Sequence, residues 1–364
     1  MTETSLTIKT PGKLMIAGEF AVLVPKQRIV VMAVNRFVYT TIEESTENTL
    51  SLENFKLQYL KWDHTENGVF VHSENKQKDY VENAMTIAMT YLKENGVSVK
   101  PCHLSVHSEL DDISGVKYGL GSSAAVVTSV ITAILNMFLH TEPSKTLIFK
   151  LASMTHVKTQ GNGSGADIAA STYGGVLAYT SFQAEWLSDA MNVAESITEL
   201  VNKDWIYWSV EPIQLPDALQ LSIGWTGKPA STSHLVRDIL SLQASDSCKF
   251  EAFLENSDRA VNMFLHGVKT NNISELIAGV KKNRQALMEV GDQAIETPLL
   301  RTLCDLAEQY GGAGKPSGAG GGDCGIAFLP PGANIEGLNR LWVQNGIKPL
   351  SLNTSAAGST VSCR

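Results

Sequence analysis

The chain has few cysteines and no pairing pattern among them: Cys102, Cys248, Cys304, Cys324 and Cys363 are odd in number, scattered and never spaced C-x-x-C. Neither a disulfide framework nor a zinc site is suggested, and a reducing cytoplasmic compartment is expected. Basic charge is also short. Lys and Arg total 29 against 37 Asp and Glu, a formal net charge of −8, so nucleic acid and anionic membranes are not expected partners. The opening MTETSLTIKT lacks a basic region followed by an apolar run, so no signal peptide is expected. The most apolar stretch, Ala124 to Leu139, is shorter than the roughly 20 residues a membrane span needs and carries Thr128, Ser129, Thr132 and Asn136. It reads as a buried helix. Internal repeats are missing too.

What is present is the makeup of a globular enzyme, with 43% apolar and 18% charged residues excluding disordered, fibrous and membrane classes. A chain of 364 residues, at roughly 100–200 residues per domain, suits two packed domains with a cleft between them. The polar stretch Gln183 to Asp204 is the expected boundary, giving domains at 1–205 and 206–364. A monomer or homodimer is the expected assembly.

The opening is β-rich: Leu6 to Lys9 and Lys13 to Ala17 read as short strands around Pro11-Gly12, followed by Ile29 to Val34 and Phe37 to Ile42. Apolar residues Val81, Ala84, Met85, Ala88 and Leu92 recur at helical spacing over Tyr80 to Glu94, which Asn95-Gly96 ends. A strand over Cys102 to Ser108 runs into the acidic loop Glu109 to Asp112 and then into Gly119-Leu120-Gly121-Ser122-Ser123. A helix from Lys145 to about Val157 precedes Gly161-Asn162-Gly163-Ser164-Gly165-Ala166-Asp167. Further on, a strand is expected from Leu221, helices across 246–310, and a strand over Ile326 to Leu329. Between the last two lies Gly311 to Asp323, which reads as flexible backbone.

A glycine turn feeding a helix leaves free N–H groups at the positive end of the helix dipole, ready for a phosphate. Gly119 to Ser123 has that form, but no Lys follows the last glycine, so it is not a Walker A loop. Two readings stay open: a phosphate cradle whose serine could ligate Mg²⁺, or a turn capped by Ser122 or Ser123. Asp167, at the end of a segment with three glycines, is open to the same choice between a ligand carboxylate and a helix cap.

Four segments in order settle the company these motifs keep: Pro11-Gly12-Lys13 with Gly18-Glu19, then GLGSSAA, then GNGSGAD, then SGAGGGDCG. The chain resembles the small-molecule kinase superfamily that includes galactokinase, homoserine kinase and mevalonate kinase (GHMP), with matches running from Pro11 to Phe328. The resemblance implies an α+β, two-domain fold: an N-terminal α/β domain like ribosomal protein S5 domain 2, which would bind ATP, and a C-terminal ferredoxin-like domain completing the acceptor site.

It also implies site residues. Lys13, Lys117 and Asp167 would be catalytic; Gly119, Leu120, Gly121, Ser122, Ser123 and Ala124 would hold ATP; Ser123 would touch Mg²⁺. Lys13, Glu19, Lys158, Ser164, Asp167, Ser231, Ser317, Gly318 and Ala319 would meet the acceptor. Within the superfamily, His156 stands where mevalonate kinases place a Mg²⁺-binding glutamate, and Lys117-Tyr118 replace the Pro before the phosphate loop. Those departures, with Val34 to Val38, His156-Val157-Lys158 and Trp225 to Thr232, resemble the phosphomevalonate kinase family instead. His156 itself reads as structural.

An acceptor of that family carries a carboxylate and a phosphate, and such a cleft needs cations. Lys13, Lys117, Lys158, Lys228 and Lys315 all lie in or beside motif segments. The expected reaction is ATP-dependent phosphorylation of mevalonate 5-phosphate to the 5-diphosphate in the mevalonate pathway to isoprenoid precursors. The alternatives are a mevalonate kinase, and a non-catalytic ligand sensor of the same fold, which would be expected to lose Lys13, Ser123 or Asp167.

Overall fold

A computed structural model describes residues 5–112, 115–230 and 232–363. Its strands in chain order are β1 Ser5–Ala17, β2 Arg28–Glu44, β3 Thr49–Leu52, β4 Leu57–Thr65, β5 Gly68–Val71, β6 Cys102–Ser108, β7 Val176–Thr180, β8 Ser209–Ile213, β9 Gln220–Trp225, β10 Ala313–Pro316, β11 Cys324–Leu329, β12 Lys348–Leu350 and β13 Thr360–Cys363. The helices are α1 Asp79–Glu94, α2 Ser122–Phe138, α3 Lys145–Gln160, α4 Ala166–Tyr173, α5 Ala184–Val193, α6 Ile197–Asn202, α7 Thr232–Ser245, α8 Ser247–Lys269, α9 Ile273–Ile295, α10 Pro298–Gln309 and α11 Ile335–Gln344.

Among the described residues, nine strands form one sheet, β13-β1-β2-β6-β3-β4-β5 with β7 and β8 branching from β2. The two short strands expected around Pro11-Gly12 are one. Proline lacks the N–H a ladder needs, and here it falls where the β1–β2 register shifts, so the strand continues past it. The β2 segments expected separately likewise join across Asn35 and Arg36. Helices α1, α2, α3 and α4 cover the sheet through Met85, Ala88, Val127, Ile131, Leu151 and Ile168, all buried in one apolar core.

The second sheet is antiparallel, in the order β10-β11-β9-β12. With β9 first in the chain, this is a ferredoxin-like arrangement, backed by α9, α10 and α11. The core of the large sheet runs on into this layer through Ile223, Phe264, Ile326 and Phe328.

Two details revise the expected division at 205/206. The stretch 183–204 is folded: α5 and α6 lie there, and Trp186 and Trp205 stack edge-on at 5.9 Å. Beyond it, β8 pairs with β7 and β13 with β1, so the large sheet draws strands from both sides of the boundary. The run Gly311 to Asp323 is also packed rather than loose. Its first part is β10, and a Cβ on Gly320 would stand 2.3 Å from the Ile295 carbonyl oxygen and one on Gly322 2.5 Å from that of Lys228.

Candidate active site

The site is built where β1 passes beneath the loop that opens α2. Gly12 lets them meet: a Cβ there would stand 2.7 Å from the Leu120 carbonyl oxygen. The next residue, Lys13, donates its amide to Leu120 O at 2.8 Å and its ammonium to Gly119 O at 2.9 Å. Its aliphatic stem lies across Gly121, leaving no room for a side chain at that position. Gly119 and Gly121 both have positive φ, 81° and 77°, which glycine adopts at little cost.

The N-cap of α2 is Gly121, and no side chain caps the helix. Ser122 and Ser123 stand inside the first turn, so the reading of either as N-cap is corrected. The leading N–H groups, down to Ala124, are left for an external acceptor, the cradle a phosphate fits.

Across from this turn, Gly165 in left-handed conformation caps α4, whose first turn carries Asp167. Asp167 Oδ1 accepts from the amide of Ile168 at 3.0 Å, leaving most of the carboxylate's acceptor capacity open. Ser164 accepts from the Ala166 amide through Oγ at 3.3 Å and from the buried Tyr179 hydroxyl through its carbonyl at 2.6 Å, which fixes the loop. Tyr80 of α1 connects the two halves. Burial pushes its phenol above the usual value, opposed by Ser123 beside the hydroxyl and reinforced by nearby Asp167. His156 lies beneath, with its ring centroid 6.1 Å from that of Tyr80 and its Nδ1 under Gly163. It is buried.

Lys117 is exposed and sits beside Asp111 and Asp323; burial raises the pKa of both carboxyls and Lys117 opposes the rise. Lys158 is exposed on the last turn of α3. Ser231 lies outside the described residues.

Three residues expected at the ligand are used inside the fold instead. Lys315 is 0% exposed and donates to Glu19, itself 3% exposed, so this lysine leaves the expected anion-facing set. Ser317 Oγ exchanges hydrogen bonds of 2.9 Å with the amide and carbonyl of Met15. A buried charge needs its partner and a buried hydroxyl its hydrogen bond, so Glu19 and Ser317 join β10 to the first strand rather than facing an open cleft. The Gly318 amide points to the same Glu19 carboxylate at 3.4 Å, and Ala319 packs with Phe20, Ala21 and Ile295.

Asp323 went unassigned by motif reasoning although SGAGGGDCG contains it. Its carboxylate abuts Gly119, and only the fold brings positions 119 and 323 together. No short-range signal could have found it.

Among the described residues no group of three or more His, Cys, Asp or Glu could hold a metal. The Ser123 hydroxyl and the Asp167 carboxylate, both near the Tyr80 phenol, are oxygen donors of the kind that suit a hard cation carried chiefly by phosphate oxygens.

An open helix end with a lysine fixed to its loop and a carboxylate opposite is a site for phosphoryl transfer to a small molecule. Family patterns agree: "GHMP kinases N terminal domain" matches residues 79–175 and "GHMP kinases C terminal" matches 264–344. The chain is 32% identical to a phosphomevalonate kinase of Streptomyces sp. strain CL190, over 96% of each chain. Among solved structures, a Listeria innocua protein shares 37% identity at a TM-score of 0.92, covering 98% of this chain and 99% of that one. The Streptococcus pneumoniae phosphomevalonate kinase in complex with phosphomevalonate and AMPPNP shares 25% identity at a TM-score of 0.83, over 97% and 100%. The chain belongs to the GHMP kinase family, and its likeness to phosphomevalonate kinase extends over its full length.

Proposed function

We propose that the protein transfers the γ-phosphoryl group of ATP to mevalonate 5-phosphate, giving ADP and mevalonate 5-diphosphate. The observation that carries this reading is the Lys13–Gly119 contact at the uncapped start of α2, within a chain alike from end to end to phosphomevalonate kinase. The segment ahead of residue 205 supplies most of the ATP site and the later segment completes the acceptor site.

In this mechanism the amides of Ser122, Ser123 and Ala124 bind the nucleotide phosphates, and Gly119, Leu120 and Gly121 let the backbone approach them. A phosphate oxygen of the acceptor attacks the γ-phosphorus; the new P–O bond forms as the β–γ bridge breaks and ADP departs. The acceptor phosphate, with a second pKa of about 6, is largely dianionic at neutral pH, so no strong base is needed. Lys13 faces the charge that spreads over the transferring group, and Lys117 adds a second cation. Asp167 would orient Lys13 or the metal, Ser123 would hold Mg²⁺, and Lys158, Ser164 and the Gly318 turn border the acceptor. Mg²⁺, when bound with ATP, neutralises phosphate charge.

The test is a coupled ADP-release assay with mevalonate, mevalonate 5-phosphate, galactose and homoserine as acceptors. Mevalonate 5-phosphate should have the highest kcat/KM; a higher value for mevalonate would overturn the assignment.

A further inference from the structure

Asp323 takes no part in the mechanism above, yet it is placed at some cost. Its φ is 52°, in the left-handed region that glycine enters freely and aspartate only with strain, although its three predecessors in the chain are all glycines. Four contacts hold it there. Its amide donates to Lys228 O at 2.7 Å, its carbonyl accepts from the Thr226 amide at 2.9 Å and hydroxyl at 3.0 Å, and its Oδ1 accepts from the Ala230 amide at 3.3 Å. The carboxylate is pressed against Gly119, where a Cβ would stand 2.6 Å from Oδ2. The following residue extends the grip, as Cys324 Sγ donates to Tyr118 O at 3.1 Å.

Gly119 is therefore held from two sides: its carbonyl by the Lys13 ammonium from the first strand, its α-carbon by the Asp323 carboxylate from the second sheet. A neutral side chain would pack against a glycine equally well. A charge is expensive to bury: burial raises the pKa of this carboxyl, and Lys13 and Lys117, neither within ion-pair distance, oppose the rise.

We propose that Asp323 is a positioning residue for phosphoryl transfer, its carboxylate fixing the Gly119 turn and, through the Gly119 carbonyl, the Lys13 ammonium in the arrangement the transferring group requires. The proposal rests on the kinase reading above. It makes the second sheet part of the catalytic geometry: the phosphate loop takes its working shape only when the start of β11 is seated on it.

The experiment compares Asp323→Asn, which keeps the shape and the Ala230 acceptor but removes the charge, with Asp323→Ala. Melting temperature, calorimetric AMPPNP affinity and steady-state kinetics are measured for each, alone and combined with Lys13→Met. Asp323→Asn should fold and bind AMPPNP within about twofold of the parent while losing about 10- to 100-fold in kcat, the scale of a displaced catalytic group. Its loss should not add to that of Lys13→Met, because both act through one ammonium. Asp323→Ala should also bind nucleotide less tightly. Parental kcat in Asp323→Asn would reduce the residue to packing, and a change confined to AMPPNP affinity would make it a nucleotide contact; either overturns the proposal. If the parent enzyme rejects mevalonate 5-phosphate, the reading of its substrate fails by itself. The same comparison then runs on whichever acceptor of the panel is used, or on ATP hydrolysis if none is.

Discussion

Lys13 Nζ and the carbonyl of Gly119, 106 residues apart in the chain, meet at 2.9 Å, so the first strand and the phosphate loop share one hydrogen bond at the heart of the site. Removing that ammonium should be costly for catalysis and mild for folding. Lys13→Met is expected to lose about 100- to 1,000-fold in kcat, the typical effect of deleting one preorganised donor. Asp167→Asn should lose less, with a deficit that changes little between about pH 7 and 8.5, because an anionic acceptor has no proton to surrender. Rate profiles of both variants check this; an acidic limb that disappears in Asp167→Asn would make Asp167 a general base.

Ser123 lies within the first turn of α2 and does not cap it. Ser123→Ala should lower kcat while shifting stability by less than the ~1 kcal/mol of a lost cap. Thermal melts beside kinetics decide the point, since an unchanged kcat with a lowered melting temperature would return the residue to a structural role.

The buried pair Glu19–Lys315 ties the first motif to β10. Lys315→Met leaves the Glu19 carboxylate buried without its cation, and breaking such a pair costs about 3–5 kcal/mol. Glu19→Gln combined with Lys315→Met should recover much of that loss in urea unfolding. Were Glu19 an acceptor contact instead, Glu19→Gln would raise the acceptor KM and leave stability alone.

Burial pushes the Asp323 carboxyl above its usual range, against the opposing pull of Lys13, the Ala230 amide and Lys117; Cys324 also faces it. An acid whose pKa is raised by folding destabilises the fold where it is ionised. The cost is present above the raised pKa, is relieved as pH falls through it, and is gone below the ordinary value of about 4. Asp323→Asn should therefore melt higher than the parent at neutral pH, with a margin that shrinks as the pH is lowered toward the ordinary carboxylate value of about 4. A margin constant with pH, or of opposite sign, would refute this.

Much of this was legible in short stretches of chain. The alternation over Cys102–Ser108 and the apolar periodicity of Asp79–Glu94 identify β6 and α1 because burying one face of a strand or helix demands those spacings. The glycine turns before α2 and α4 are equally local, since glycine enters left-handed backbone at the least cost. The order of four motifs was enough to place the chain in its family.

Other features depended on partners far away in sequence. Nothing local separates Lys315, buried against Glu19, from Lys117, exposed at the site, and the glycines at 320–322 read as flexible until Ile295 and Lys228 are found against them. The seating of Asp323 on Gly119 is of the same kind. By itself the sequence determined many of the helices and strands and both glycine turns, because hydrogen bonding and side-chain periodicity act over a few residues. Only the tertiary structure decided which charges are buried as struts and which stay at the site, because desolvation and Coulomb attraction depend on distances that close when the two sheets pack.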